Sequence, residues 1–282
     1  MENVDELFEA ANAAKFNFDD VYNLPDPRRY YRTLGALDYR IPSEARPVFE
    51  AVIDALAPAS PTIVDVGCSY GVNAAMIKYG LDFADLVARY RATSARASSV
   101  AETIFDDAAF YADRAVMREA KFVGVDIAAE AAGYGKAVGL LDEAVTQNLE
   151  AAPASARTAW AVEGADLIIT TGAVGYVTEQ TFEAIMVAAK GAPPCVAAFS
   201  LRQFPFDRIA DRLSDFGLDT EKLEGRYFPQ RKFADAEEMA GALSALDALG
   251  IDAKGLESEG RYFAEFYFAA PRSGPKLSDL DL

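Results

Sequence analysis

The run Thr62-Ile63-Val64-Asp65-Val66, bounded by Pro61 and Gly67, limits the fold of this chain more than any other stretch. Five residues this apolar and β-branched read as a strand buried on both faces, and such strands belong to parallel sheets covered by helices. Similar runs recur at Phe122 to Asp126, Ala165 to Thr171 and Cys195 to Leu201, with helical periodicity between them. That alternation predicts an α/β fold with a mostly parallel sheet and helices on both faces. Arg226 to Phe233 and Arg261 to Phe268 are aromatic-rich and flank a helix expected over Ala236 to Leu249, which suits an antiparallel edge to the same sheet.

The remaining segments read as additions to this sheet. Residues 1–58 look helical: an acidic amphipathic run spans Met1 to Lys15, and Asp26-Pro27 offers an N-cap and first-turn proline for a helix through Arg29 to Leu37. Ser43 can cap a third helix, with Pro47 in its first turn and Pro58 at its end. This region is expected to form a lid or flank. A strandless stretch of about 80–120, holding Asp85 to Arg91 and Val100 to Arg118, reads as a helical insertion after the first strand-helix unit. Residues 59–272 then form the main α/β domain, and the polar tail over 273–282 is expected to be mobile.

Composition excludes several chemistries. The chain has 282 residues and a formal charge of −17, which makes a nucleic-acid backbone an unfavourable partner. It contains 0 histidines and 2 cysteines, so the usual general base, a zinc centre and any other metal site of the common kinds are not expected. Cys68 and Cys195 sit in apolar segments and read as buried thiols in a reducing compartment. No stretch approaches the roughly 18 apolar residues of a membrane span, and the acidic start does not resemble a secretion signal. A cytoplasmic protein is the expectation, with a homodimer as its candidate assembly.

The strongest functional signal is Asp65-Val66-Gly67-Cys68-Ser69-Tyr70-Gly71, a loop where a strand turns into a helix. Gly67 to Gly71 matches the G-x-S-x-G nucleophile elbow literally, but without histidine no triad can be assembled. The dinucleotide pattern G-x-G-x-x-G is absent, because Ser69 occupies the second glycine position. A tight turn with no ligand is a further alternative.

The loop also resembles the first motif of class I S-adenosylmethionine-dependent methyltransferases, an acidic residue followed by glycine-x-glycine-x-glycine. Asp65, Gly67, Ser69 and Gly71 take those positions, with serine for the central glycine. The resemblance extends roughly from Thr62 to Pro271 and implies a seven-stranded, mostly parallel Rossmann-like sheet. Asp126, at the end of Phe122-Val123-Gly124-Val125-Asp126, resembles the carboxylate that holds the ribose hydroxyls. It stands much further along the chain than the roughly 20 residues usual for that role, and the insertion accounts for the excess.

S-adenosylmethionine is the cofactor this resemblance implies. Its candidate contacts are Asp65, Gly67, Cys68, Ser69, Tyr70, Gly71 and Asn73 around the loop. Asp126 and Ile127 follow for the ribose, Asn148 and Leu149 for the adenine, and Thr171 and Gly172 at the end of the fourth strand. Methyl transfer to a small molecule mainly needs alignment and exclusion of water. Tyr176, Tyr30 and Asp166 are the candidate catalytic residues, and Tyr31, Arg32, Tyr176, Arg202 and Gln203 the candidate substrate contacts. The same fold also implies two alternatives: intramolecular cyclisation of the cofactor, as in azetidine-2-carboxylate synthases, with release of methylthioadenosine, and cofactor binding without turnover.

Overall fold

The structure, a computed structural model, describes residues 19–56, 59–94 and 99–282. The amphipathic run over Met1 to Lys15 and the helix stop at Pro58 lie outside them. A short helix α1 (Asp19–Tyr22) leads to α2 (Arg28–Ala36) and α3 (Ile41–Leu56). Asp26 accepts the N–H of Arg28 at 3.1 Å, so it caps α2 from one residue further out than the sequence suggests. Ser43 lies inside α3 rather than at its start, and its hydroxyl accepts the N–H of Phe83 at 3.1 Å.

The sheet begins with β1 (Thr62–Val66) and α4 (Val72–Tyr79), followed by two helices, α5 (Phe83–Ser94) and α6 (Val100–Ala112), where the insertion is expected. It continues through β2 (Lys121–Val125), α7 (Ala129–Ala137), β3 (Glu143–Val145), α8 (Ala156–Val162), β4 (Leu167–Thr171), α9 (Glu179–Ala189) and β5 (Cys195–Leu201). The last part holds α10 (Asp207–Asp215), β6 (Leu218–Lys222), β7 (Phe228–Lys232), α11 (Ala236–Ala248) and β8 (Arg261–Pro271).

Strands run in the order β3-β2-β1-β4-β5-β8-β6, and β7 also pairs with β8. The first five are parallel, and β8 is antiparallel to β5. Ala264 of β8 pairs with Leu201 of β5 and Phe228 of β7, while Ala269 pairs with Val196 of β5 and Thr220 of β6. Both β6 and β7 therefore lie along the edge of β8 opposite β5. They form one interrupted row, so the eight strands make the seven rows expected from the sequence.

Side chains alternate across the strands and feed two cores. Ile63, Leu167, Ile169, Ala197 and Phe199 pack with α3, α4 and α7 on one face. Val64, Val66, Ile168, Val196 and Ala198 pack with α9 and α10 on the other. The inserted helices are fixed by a buried carboxylate. Asp107 of α6 accepts from Arg89 Nη2 at 2.6 Å, Tyr90 Oη at 3.1 Å and Tyr134 Oη at 2.8 Å, joining α5, α6 and α7. Contrary to the expected mobile tail, Leu280 is buried in the first core, and Leu277 N–H donates to Glu221 at 3.4 Å. Its apolar side chains outweigh its polar composition.

Candidate functional site

The chain runs from β1 outward to β3 and then crosses back to β4, so the sheet has a topological switch point between β1 and β4. Crevices at the carboxyl ends of such strands bind ligands. A cavity of about 900 Å³ opens there, lined by Val66 and Gly67 after β1, Asp126 and Ile127 after β2, Gln147 to Glu150 after β3, and Thr171 to Ala173 after β4.

The glycine loop turns tightly into α4. Gly67 has φ of +75°, and an added Cβ would lie 2.6 Å from Ala173 Cβ, so only glycine fits where these two strand ends meet. Ser69 also adopts a left-handed backbone, φ 49°, despite carrying a side chain. Its N–H donates to Asp126 Oδ2 at 2.8 Å, which ties the loop to β2.

Asp126 lines the cavity, and its Oδ1 accepts the N–H of Ala128 at 2.9 Å. Each carboxylate oxygen thus takes one backbone donor and keeps a lone pair for a ligand hydroxyl. Burial raises its pKa above the ordinary carboxylate value, opposed by those two N–H donors. Asp65 is fully buried behind the loop. Desolvation, offset by the Asn73 amide and reinforced by the Asp126 charge, pushes it up to about 7. Asn73 Nδ2 donates to Asp65 Oδ1 at 3.0 Å and to Thr171 Oγ1 at 3.3 Å, connecting the ends of β1 and β4.

The other candidate cofactor contacts divide clearly. Cys68, Ser69, Asn73, Asn148, Leu149, Thr171 and Gly172 line the cavity, whereas Asp65, Tyr70 and Gly71 lie outside its wall. Tyr70 is buried, and its hydroxyl donates to Leu24 O at 3.0 Å and accepts Leu24 N–H at 3.0 Å, anchoring the segment between α1 and α2 to the loop. A Cβ on Gly71 would meet Leu140 at 3.1 Å, so a larger residue would strain packing behind the cavity.

Several expected catalytic and substrate residues require correction. Asp166 precedes β4 and accepts Thr62 N–H at 2.8 Å, which places it at the amino edge of the sheet, opposite the cavity. Tyr31 stacks on Tyr90 at 4.5 Å within the core, and Arg32 is exposed away from the cavity wall. Arg202 is buried against Glu257 at 2.5 Å, and neither it nor the buried Gln203 lines the cavity. Their position after β5 is right for a site, but β8 and the Glu257 turn cover them.

Tyr30 and Tyr176 do line the cavity, the first buried and the second 61% exposed at its mouth. Tyr22 of α1 and Tyr39, in the connection between α2 and α3, join them. Burial raises the pKa of Tyr22, Tyr30 and Tyr39 above the ordinary phenol value, so each stays protonated at neutral pH. They are hydrogen-bond donors and aromatic faces, not bases.

The sequence reading missed the wall contributed by β7. Gln230 and Arg231 both line the cavity, at a bulge between the pairs Pro229 with Phe263 and Lys232 with Arg261. Bulges of this kind re-aim side chains. Arg231 donates to Glu238 at 2.9 Å and 2.6 Å, so its charge is committed. Glu150, also missed, accepts the N–H groups of Thr178 at 3.0 Å and Thr181 at 3.2 Å, which pins the loop after β4 to the loop after β3.

Neither a protein-family model nor a curated protein matches the chain. Among solved structures it is similar to a TehB-like SAM-dependent methyltransferase from Corynebacterium glutamicum, with 16% identity, 85% of this chain and 94% of that chain covered, and a TM-score of 0.42. The plantazolicin methyltransferase BpumL in complex with SAH is similar at 10% identity over 95% of this chain and 98% of that one, with a TM-score of 0.44. Geranyl diphosphate C-methyltransferase from Streptomyces coelicolor A3(2) follows at 13% identity, 94% and 97% coverage and a TM-score of 0.42. Likenesses this distant carry no information about the reaction or substrate of this chain.

Proposed function

We propose that this chain is an S-adenosylmethionine-dependent methyltransferase acting on a small molecule. The observation that carries the reading is Asp126: a half-buried carboxylate at the end of β2, held by two backbone N–H groups, faces the cavity beside a left-handed glycine loop at the switch point. Its unused lone pairs suit a vicinal diol, and Asn148 and Leu149 offer a polar and an apolar contact for a base. The bound cofactor would supply a methyl group on a sulfonium, already electrophilic.

The residues of the chain then have three tasks. Gly67, Ser69 and Asp126 hold the nucleoside end. Tyr22, Tyr30 and Tyr39 present aromatic faces to a cationic centre, an interaction worth roughly 0.5 to 2 kcal/mol. The N-terminal helices and the loop after β4 exclude water. With the buried tyrosines protonated and Asp166 on the far edge, no side chain among the described residues stands out as a general base, so alignment supplies the rate acceleration. Acceptors that react without prior loss of a proton, or that lose it to water, fit such a site.

Incubation with S-adenosylmethionine, alone and with a deproteinised cell extract, tests the reading by mass spectrometry of the nucleoside products. S-adenosylhomocysteine forming only with extract is the expected result. Methylthioadenosine from the cofactor alone would replace methyl transfer with cyclisation or cleavage, and an intact cofactor in both incubations would leave no methyl transfer to defend.

A further inference from the structure

One carboxylate joins the turn after β3 to the loop after β4. Glu150 lines the cavity, and its Oε1 accepts the N–H groups of Thr178 at 3.0 Å and Thr181 at 3.2 Å together with the Thr181 hydroxyl. Its Oε2 accepts the Thr178 hydroxyl at 2.7 Å. Thr178 is the N-cap of α9, so a side chain from another strand end satisfies two of the N–H groups that open this helix. Bonds to an ionised acceptor are the strong kind, and four of them tie α9 to the β3 turn.

The two ends of this link belong to different halves of the site. Glu150 N–H donates to Asn148 Oδ1 at 3.0 Å, closing a turn through Leu149, and Asn148 and Leu149 are the wall residues suited to the base. On the other side, Tyr176 N–H and Val177 N–H both donate to Ala173 O, at 2.9 Å and 3.1 Å, so the loop is folded on itself and Thr178 continues from it directly. Tyr176 stands 61% exposed at the cavity mouth. We propose that Glu150 is a positioning residue that couples these halves: a base resting on Asn148 and Leu149 restrains the turn, and the carboxylate passes that restraint to the Tyr176 loop. Cofactor binding then orders the acceptor side of the cavity before the acceptor arrives. A site already ordered by one ligand costs less to order for the next, and the coupling is reciprocal. This rests on the methyltransferase reading above.

Amide hydrogen exchange read by mass spectrometry, with and without saturating S-adenosylhomocysteine, tests the coupling and needs no acceptor. In the wild type the ligand should slow exchange by about fivefold or more across 173–181 as well as in the glycine loop. Glu150→Ala removes all four contacts: slowing in the glycine loop should persist, showing that the variant folds and binds, while slowing across 173–181 falls below about twofold. Glu150→Gln can keep the set, with its oxygen at the Oε1 position and its amide nitrogen donating to the Thr178 hydroxyl, and should retain the slowing. Thr181→Val deletes a single hydroxyl contact and decides the matter if Glu150→Ala does not fold; it should lose part of the slowing across 173–181. A merely structural pin would loosen α9 equally in free and bound protein and leave the ratio of the two rates at its wild-type value in every variant, which would overturn the proposal. Wild-type slowing confined to the glycine loop, or a loss in Glu150→Gln as complete as in Glu150→Ala, would overturn it too. Failure of the wild type to bind S-adenosylhomocysteine is a different result, and it would remove the cofactor reading first.

Discussion

The cavity has two walls built on opposite principles. On the β1–β2 side, a backbone loop with Gly67 and Ser69 in left-handed conformations meets Asp126, whose carboxylate organises main-chain N–H groups. On the β7 side, a bulged strand presents the side chains of Gln230 and Arg231, supported by the ion pair with Glu238. In the proposed reading the first wall would meet features common to every nucleoside cofactor, with main-chain N–H groups and one carboxylate. The second faces whatever else enters, and side chains can change there without disturbing the loop.

Breaking the second wall should give the largest effect on stability. In Glu238→Ala, Arg231 keeps its buried charge but loses the carboxylate that takes both of its terminal nitrogens; their side chains are 7% and 1% exposed in the pair. Loss of about 3–5 kcal/mol is expected in chemical denaturation. Affinity for S-adenosylhomocysteine in the folded variant should fall far less, because the first wall does not use this pair.

Asp65 sharpens the contrast through pH. Its pKa is raised from 3.8 to about 7 in the folded protein, so the native state holds a proton that the unfolded chain has released. Its contribution to stability is therefore most favourable below pH 4 and is lost as pH rises through about 7. Thermal melts across that window should show the wild type losing ground steadily to Asp65→Asn. Parallel curves, or the opposite slope, would mean that Asp65 is not buried as a neutral acid.

The smallest effect belongs to Ser69→Gly. Serine at φ 49° is strained, and glycine relieves that strain while adding freedom to the unfolded chain. A net gain below about 1 kcal/mol is expected in the same denaturation experiment, with the Asp126 contact kept because the donor is the backbone N–H.

These walls also differ in how visible they are in the sequence. The strand Thr62 to Val66 and its glycine loop announce themselves, since a doubly buried strand must be apolar and a left-handed turn favours glycine. Asp126 follows from the same pattern one unit later. By contrast, β3 is only three residues long, and β6 reads Leu-Asp-Thr-Glu-Lys, too polar for a buried strand. The β7 segment Phe-Pro-Gln-Arg-Lys carries no periodicity that would reveal a bulge, because its register is set by β8 and by the segment before α3. Asp166 is a different case. It stands before Leu167 rather than after Thr171, so strand direction alone places it at the entry of β4 and away from the carboxyl edge. Arg202 and Gln203 could not be judged so simply, because Glu257 lies more than fifty residues further along the chain.

The most direct test of the account compares Asp126→Ala with Asp166→Ala by calorimetric titration with S-adenosylhomocysteine. Asp126→Ala should lose roughly 1.5 to 3 kcal/mol of binding free energy through the missing charge-assisted bonds, while Asp166→Ala binds as the wild type does. Equal affinities in all three proteins, or a loss confined to Asp166→Ala, would contradict a nucleoside site at the carboxyl edge of the sheet.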